Sequence, residues 1–323
     1  MDNEFKGKKV LVTGATGLIG QALVKRLLSL DSIVLAVVRD LERARRLFGE
    51  TENICYLISD VTELEPKYLD IDYIVHAASN TSSKAFINDP VGVINTAIEG
   101  TRRTLEIAKL SGVRGYVYLS SMEVYGTPAT DEKIDELHGT DLNTMKPRTA
   151  YPESKRMCEN LCTSYATQYG VPAKVIRLTQ TFGPGVRYND GRVFAELARC
   201  AIEGRDIVLH TKGETKRSYL YTEDAVNAIL TVLINGGVGE AYNAANEETY
   251  CSIYEMAELV ATKCAYGKIQ VKIEEEDTST FGFAPTLHLN LDTGKLQKLG
   301  WVPQTTLIDM YYQLISSMKK EKI

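Results

Sequence analysis

Long apolar runs, paired metal-binding residues and an excess of basic charge are all missing from this 323-residue sequence. The apolar segments fall well short of the roughly 18 residues that a membrane-spanning helix needs. Six cysteines and four histidines lack the paired spacing of a zinc site, so we predict reduced core thiols and no bound metal. With a net charge of −5 and no long basic run, we expect a cytoplasmic protein that binds neither nucleic acid nor an anionic membrane.

The sequence does contain a regular alternation of short, β-branched apolar runs with amphipathic segments over residues 9–120. Such alternation predicts an α/β fold, specifically a Rossmann-type doubly wound parallel sheet. Residues 10–12 form a continuous apolar run, which is typical of a strand buried on both faces. Ile19, Leu23 and Leu27 recur at helical spacing, and 44% hydrophobic residues suffice for a large core.

A glycine-rich turn joins the first predicted strand to the first predicted helix. Its glycines allow a tight turn and a close backbone approach to a pyrophosphate, and the start of the helix offers free amides to the anion. The turn therefore predicts a dinucleotide site. We include in it Gly14, Thr16, Gly17, Leu18, Ile19 and Gly20.

Small and acidic residues at two later strand ends extend this site. Asp60 and Val61 follow the third predicted strand. Ala77 and Ala78 follow the fourth, where small side chains let the backbone lie against a cofactor. We predict that all four contact the dinucleotide.

The tip of the second strand bears on the choice between NAD and NADP. A carboxylate at this tip accepts hydrogen bonds from the ribose 2′-hydroxyl of NAD, whereas an arginine pairs with the 2′-phosphate of NADP. Arg39 occupies the tip, Asp40 follows it, and Arg43 is close enough to assist. An arginine can also cover the adenine ring of NAD, but we favour NADP.

A Ser, a Glu, a Tyr and a Lys form the candidate catalytic group. Tyr151 and Lys155 are four residues apart and share one helix face, so the ammonium is expected to lower the pKa of the phenol. The Ser121 hydroxyl can hold an alcohol while it is deprotonated, and Glu123 supplies a second candidate base. The pattern predicts oxidation of a carbinol.

Jointly, these motifs resemble the extended short-chain dehydrogenase/reductase superfamily, specifically its NAD(P)-dependent epimerase/dehydratase branch that acts on nucleotide-diphosphate sugars. The resemblance covers essentially the full length. Its motifs are residues 14–20, 95–101, 120–126, 177–185 and 217–224, together with Tyr151 and Lys155.

The resemblance implies a tightly bound NAD or NADP that takes hydride from C4 of the sugar and later returns it. It makes Tyr151 the base, Lys155 its electrostatic support and ribose contact, and Ser121 the partner of the C4 oxygen. Asn95 would contact the cofactor. The resemblance also implies a homodimer in which helices at residues 95–110 and 152–169 form a bundle.

The residues at positions 122 and 123 bear on the reaction. Similar 4-epimerases generally carry a non-acidic residue at Glu123, whereas 4,6-dehydratases use a Glu there to remove the C5 proton, and glucuronate decarboxylases also carry a Glu there. Met122 cannot donate the proton that an Asp at this position supplies to the departing C6 hydroxyl. The alternatives are that Met122 fills the core and that Glu123 caps a helix. We predict a nucleotide-diphosphate-sugar dehydratase, a lyase rather than an isomerase. The alternatives are a 4-epimerase, a UDP-glucuronate decarboxylase-like enzyme and, more remotely, a non-catalytic NAD(P)-binding regulator.

Three side chains are expected to bind the substrate, for which we favour a UDP-sugar. Gln180 stands where the family usually has an Asn that helps to hold the diphosphate. Arg192 resembles an Arg that reaches the nucleotide in decarboxylases, and Arg217 matches a diphosphate or ribose contact, although either arginine could instead form a surface ion pair.

Turn residues and mixed charge after residue 180 predict a smaller C-terminal lobe that is interleaved in sequence with the main domain. We assign residues 1–180, with residues 206–244 returning to them, to the dinucleotide-binding domain. Residues 181–205 and 245–323 are assigned to the substrate-binding lobe.

Overall fold

The computed structural model describes residues 2–276 and 286–322. Its strands are β1 (Lys9–Thr13), β2 (Ile33–Val38), β3 (Ile54–Ile58), β4 (Tyr73–His76), β5 (Gly115–Ser121), β6 (Lys133–Ile134), β7 (Ala173–Leu178), β8 (Gln180–Phe182), β9 (Ile207–Leu209), β10 (Lys216–Tyr221), β11 (Ala241–Ala244), β12 (Asn246–Ser252), β13 (Val271–Ile273) and β14 (His288–Leu291). Its α-helices are α1 (Asp2–Phe5), α2 (Leu18–Ser29), α3 (Leu41–Phe48), α4 (Ser83–Asn88), α5 (Pro90–Ser111), α6 (Ala150–Tyr169), α7 (Val193–Glu203), α8 (Thr222–Asn235), α9 (Ile253–Leu259), α10 (Gly294–Gln297) and α11 (Leu307–Lys322). Two 3₁₀ turns (Met122–Tyr125 and Pro147–Thr149) and a π-helical turn (Val260–Cys264) complete the elements.

A parallel sheet of seven strands in the order β11-β7-β5-β4-β1-β2-β3 forms the centre of the fold. The chain winds outward from β1 in one direction and then continues from β4 in the other. The carboxyl ends of β1 and β4 therefore border a crevice, which is where open α/β sheets bind their ligands. The arrangement confirms the predicted doubly wound α/β fold.

The alternating side chains of β1 show why the sheet is buried on both faces. Val10 and Val12 pack in one hydrophobic cluster with Leu23 of α2 and Ile229 of α8. Leu11 faces the opposite way, into a cluster to which α5 and α6 contribute. Helices thus cover both faces, as the continuous apolar run of β1 predicts.

A second sheet in the order β12-β10-β14-β6, with β8 paired to β10, lies beyond the first. A two-stranded sheet joins β9 and β13, and α7, α9 and α11 share a separate core cluster. Within the predicted returning segment 206–244, β9 and β10 pair in these smaller sheets, whereas α8 and β11 pack with the large one. The division into two domains stays a prediction, and residues 277–285 of the predicted lobe lie outside the described residues.

Candidate active site

The glycine-rich turn forms a close-packed cradle between β1, α2 and β4. Gly14 has a φ of +65°, and a Cβ on it would lie 2.7–2.8 Å from backbone atoms of Ala77 and Ala78. A Cβ on Gly20 would lie 2.1 Å from the Gly14 carbonyl oxygen. Gly17 caps α2 without a side-chain hydrogen bond, so the first amides of the helix face the crevice. This backbone fits the pyrophosphate of a dinucleotide.

His76 fixes the far edge of this cradle. Its ring is fully buried, with Nδ1 2.7 Å from Thr13 Oγ1 and Nε2 3.2 Å from Thr101 Oγ1. Thr13 Oγ1 also accepts the amide N–H of Ala78, which leaves the Thr13 hydroxyl hydrogen for Nδ1. Burial, with a smaller effect of Lys155, lowers the pKa of His76 to about 3. A neutral imidazole therefore links β1, β4 and α5.

Two arginines border the tip of β2. Arg39 lies 3.5 Å from Asp60 and is mostly exposed. Arg43 donates from Nη2 to the Thr16 carbonyl at 3.0 Å and so reaches the glycine-rich turn. Asp40 caps α3, because its side chain accepts the Arg43 amide at 2.9 Å. The carboxylate next to the tip is thus engaged by its own helix.

The remaining predicted cofactor residues differ in their surroundings. Leu18 packs against the core cluster that α7, α9 and α11 share, and Ile19 packs against the cluster of the main sheet. Val61 is buried, and a Cβ on Gly100 of α5 would lie 2.9 Å from it. Asn95 is exposed on α5, and among the described residues it contacts none of the other predicted cofactor residues by a hydrogen bond.

Tyr151 and Lys155 lie on α6 beside the carboxyl end of β5. The Lys155 ammonium donates to the Leu119 carbonyl at 2.7 Å and lies 5.7 Å from the centroid of the Tyr151 ring. Burial lowers the pKa of Lys155 to about 8. Burial raises the pKa of Tyr151, and the charge of Glu123 raises it further. The net direction of the Tyr151 pKa is therefore upward, because the desolvation of the phenolate dominates and the Lys155 ammonium donates to a carbonyl. The lowering of the phenol pKa by Lys155 stays a prediction.

Ser121 ends β5 and begins the first 3₁₀ turn. Its hydroxyl accepts the Glu123 amide at 3.2 Å and lies close enough to Tyr151 to lower the phenol pKa. Met122 points away into a core cluster and is only 5% exposed. Thr179 Oγ1 lies 3.2 Å from its sulfur. The residues at 121 and 123 therefore face the site, while Met122 packs as a core side chain.

Two residues that contact Glu123 or Tyr151 were not identified from the sequence. Arg148, on the second 3₁₀ turn, donates from Nη2 to Glu123 Oε2 at 3.0 Å. Its guanidinium carbon lies 4.9 Å from the centroid of Phe86, whose ring stacks on Tyr151 at 4.4 Å and 15°. Arg148 precedes Tyr151 by three residues, one turn away, and this spacing was the available signal. Nothing local in the sequence indicated Phe86.

A buried ion pair supports the site from behind. Arg177 on β7 donates to both carboxylate oxygens of Glu159, and both side chains are 12% exposed. Glu159 also accepts the Ser120 hydroxyl at 2.5 Å. Because Glu159 follows Lys155 by four residues on α6, its charge raises the pKa of that ammonium against the larger effect of burial. This i, i+4 spacing could have indicated Glu159 in the sequence.

The three predicted substrate residues are not equally available. Gln180 on β8 pairs in register with Tyr219 on β10, two residues beyond Arg217. The Arg217 Nε is buried and makes no hydrogen bond with any described residue. Arg192 is paired with Asp190 through contacts of 2.9 and 2.6 Å. Arg217 therefore has an unused donor, whereas Arg192 already has an acidic partner.

Comparison with known proteins identifies relatives over most of the chain. Residues 10–245 match the NAD dependent epimerase/dehydratase family. UDP-glucuronic acid decarboxylase 1 of Xenopus tropicalis is 31% identical over 323 residues, which cover 99% of this chain and 74% of that protein. The protein of the same name from Danio rerio is 32% identical over 267 residues, which cover 81% and 62%.

A solved UDP-glucose 4-epimerase of Thermotoga maritima, with UDP-glucose, has the same fold at a TM-score of 0.81 and 21% identity, over 97% of this chain and 99% of that chain. No helix in the described ranges has an apolar stretch long enough to cross a membrane. The family match spans the glycine cradle, the Ser, Tyr and Lys group and the strands that bring them together. The chain therefore belongs to the NAD-dependent epimerase/dehydratase family of enzymes, as its motifs indicate.

Proposed function

We propose that this enzyme holds an NAD(P) coenzyme in the glycine cradle and a UDP-sugar beside it, and that it oxidises the sugar at C4. The observation that carries the proposal is the convergence of Ser121, Tyr151 and Lys155 beside β4, the strand that completes the cradle. Tyr151 takes the proton of the C4 hydroxyl, Ser121 holds its oxygen and Lys155 supplies positive charge. NAD(P) bound in the glycine cradle would supply the acceptor for the C4 hydride and the hydride for the final reduction.

We further propose that the sugar carries a carboxylate at C6 and is decarboxylated. Once C4 is a ketone, the C5–C6 bond breaks, its electron pair passes toward the C4 carbonyl, and carbon dioxide leaves. C5 then takes a proton, and the return of hydride to C4 restores the alcohol, so atoms and electrons balance. The names of both curated relatives support this reaction for the present chain. It also needs no acid at Met122, because no hydroxyl departs.

Dehydration, the reaction favoured by the sequence, is the second candidate. Glu123 lies close enough to Tyr151 for its charge to raise the phenol pKa, so a carboxylate borders the reacting carbons and could remove the C5 proton. The C6 hydroxyl would still need a proton donor as it leaves. The burial of Met122 in the core cluster argues against a donor in that slot.

For the coenzyme, NADP is our proposal over NAD. Arg39 and Arg43 put two cations at the tip of β2, where the adenosine ribose lies in this type of sheet. The alternative partner, Asp40, is engaged as the cap of α3. Mass spectrometry of the nucleotide released on denaturation distinguishes the two; release of NAD alone would contradict the preference.

A homodimer and the two-domain division complete the proposal. Exposed apolar side chains on α5 and α6 support a bundle between two copies of the chain: Val91, Ile94, Leu110, Met157 and Tyr169. Residues 1–180 with 206–244 would bind the coenzyme, and residues 181–205 and 245–323 the UDP-sugar. Free cysteines are in keeping with the cytoplasm.

Turnover in heavy water tests the reaction. The purified protein is incubated separately with UDP-glucuronate, UDP-glucose and dTDP-glucose, and products are analysed by mass spectrometry and NMR. We expect carbon dioxide and a UDP-pentose with solvent deuterium at C5 from UDP-glucuronate. A product that has lost water would instead support dehydration, and an epimer without deuterium would support a 4-epimerase. No turnover of any of the three by coenzyme-loaded protein would contradict the proposal.

A further inference from the structure

The guanidinium of Arg148 is a cation close to Tyr151 that has unused hydrogen-bond donors. Lys155 donates to a main-chain carbonyl, and Arg177 is paired with Glu159. Arg148 makes a single hydrogen bond among the described residues, from Nη2 to Glu123. A guanidinium carries five N–H donors in a planar fork that matches a carboxylate.

The position of Arg148 is fixed by an aromatic stack. Its guanidinium lies over the ring of Phe86, and that ring lies flat against the ring of Tyr151. The planar cation is therefore held one ring away from the proposed base. Its charge reaches the phenol, since Arg148 lowers the pKa of Tyr151 while Glu123 raises it. An arginine ordered by an aromatic ring loses less freedom when it binds a ligand.

The ion pair with Glu123 leaves Arg148 able to bind a carboxylate of a ligand. The two side chains are 32% and 30% exposed, so water reaches the pair and its contribution to stability is small. A second carboxylate can thus share the fork with Glu123, or displace it, at little cost. Among the described residues, Glu123 is the acidic group to which Arg148 donates. The reacting sugar must lie close to Tyr151, and therefore close to the unused donors of Arg148.

We infer that Arg148 recognises the C6 carboxylate of the substrate and selects a UDP-hexuronate over the corresponding UDP-hexose. The inference rests on the proposed function, because it assumes that C4 of the sugar lies at Tyr151. Arg148 is a specificity residue in this role and takes no part in hydride transfer. The chemical class that it selects is a sugar acid with its carboxylate one carbon beyond C5.

Binding to a pair of matched ligands tests the inference without turnover. Coenzyme-loaded Tyr151→Phe protein is titrated by calorimetry with UDP-glucuronate and with UDP-glucose, which differ only at C6. Adding Arg148→Met should weaken UDP-glucuronate binding by about tenfold or more, the value of a charged hydrogen bond, and change UDP-glucose binding by less than about twofold. Arg148→Lys should give an intermediate loss, because a lysine lacks the fork.

Arg114→Met serves as the matched control, since Arg114 is an exposed arginine at the opposite end of β5, paired with Asp72. It should leave both affinities unchanged. Equal losses for both ligands in Arg148→Met, or no loss for either, would overturn the inference. Release of carbon dioxide by the unmodified enzyme is measured separately. If the unmodified enzyme releases carbon dioxide but Arg148→Met keeps the preference for UDP-glucuronate, the inference about Arg148 is refuted and decarboxylation stands. If Arg148→Met loses that preference but the unmodified enzyme releases no carbon dioxide, decarboxylation is refuted and the inference about Arg148 stands.

Discussion

Tyr151 and Lys155 are buried side by side, and burial moves their pKa values in opposite directions. The phenol becomes a weaker acid and the ammonium a stronger one, because burial disfavours the charged form of each group. Proton removal from the C4 hydroxyl needs the phenolate. The nicotinamide ring of an oxidised coenzyme is positively charged, and that charge, placed near the phenol, would favour the phenolate. Binding of the coenzyme and activation of Tyr151 would therefore be coupled.

Replacing Tyr151 by Phe separates chemistry from binding. The variant lacks the phenol oxygen but keeps the ring that stacks on Phe86. We expect turnover to fall by at least about a hundredfold, the usual value of a general base, and the coenzyme content to stay unchanged. Activity assays and absorbance of the released coenzyme measure the two quantities. Full activity would remove Tyr151 from its assigned role.

The pH profile of kcat/KM should show the ionisation of the Lys155 side chain. Because the ammonium is the form present below its pKa of about 8, we expect kcat/KM to fall as the pH rises through about 8. Glu159→Gln removes a carboxylate that raises this pKa, so the midpoint should move to lower pH. Glu153→Gln is the control on the same helix, since Glu153 pairs with Arg156. A midpoint that stays in place in Glu159→Gln would contradict the assignment to Lys155.

Residue spacing predicted part of this site. Ser121, Tyr151 and Lys155 were predicted from their types and separations in the sequence, and the fold brings them together. Phe86 reaches Tyr151 only through the fold, from α4, sixty-five residues earlier in the chain. No local pattern encodes such a contact. The same holds for the direction of the phenol pKa, which depends on burial that the sequence does not display.

Elements with strong periodicity were predicted well, and short ones were not. β1, α2 and β2 have long apolar patterns and lie where the sequence placed them. β6 has two residues and β8 has three, so neither displays a period. Pairing with β14 and β10, distant in sequence, makes them strands. The smaller sheet therefore depends on pairing between strands that are distant in sequence, and local sequence patterns do not predict it.

The start of α2 offers a test of the glycine cradle. In Gly20→Ala the new Cβ would lie 2.1 Å from the Gly14 carbonyl oxygen, so the turn must move. We expect a loss of about 1–3 kcal/mol in the free energy of unfolding, despite the better helix propensity of alanine, together with weaker coenzyme binding. Urea unfolding and coenzyme titration measure these. Gly139→Ala is the control, because a Cβ there meets nothing within 4 Å; equal stability of both variants would contradict the prediction.

At the scale of the whole molecule, one polar network ties the two larger sheets together. Arg177 of β7 donates to the Tyr125 hydroxyl, which donates to Asn243 Oδ1 on β11. Asn243 Nδ2 in turn donates to the carbonyls of Ile134 on β6 and Asp292 after β14. Arg177 also holds Glu159, next to Lys155 on α6. The helix that carries Tyr151 and Lys155 is thus connected to the smaller sheet through buried groups that would be costly to leave unpaired.

The exposed apolar face of α5 and α6 makes a prediction about assembly. Ile94 is 36% exposed and Met157 is 50% exposed, although α5 and α6 already pack against each other within one chain. Burying this face in a second copy would remove apolar surface from water, so we expect a particle of twice the 35.9 kDa chain mass by sedimentation velocity. Ile94→Glu with Met157→Glu places charges in that interface and should yield monomers. Val302→Glu is the control, because Val302 is 58% exposed and lies outside both helices, near α11. If the double variant sediments as the unmodified protein does, the interface lies elsewhere, and if the unmodified protein is a monomer, no dimer forms.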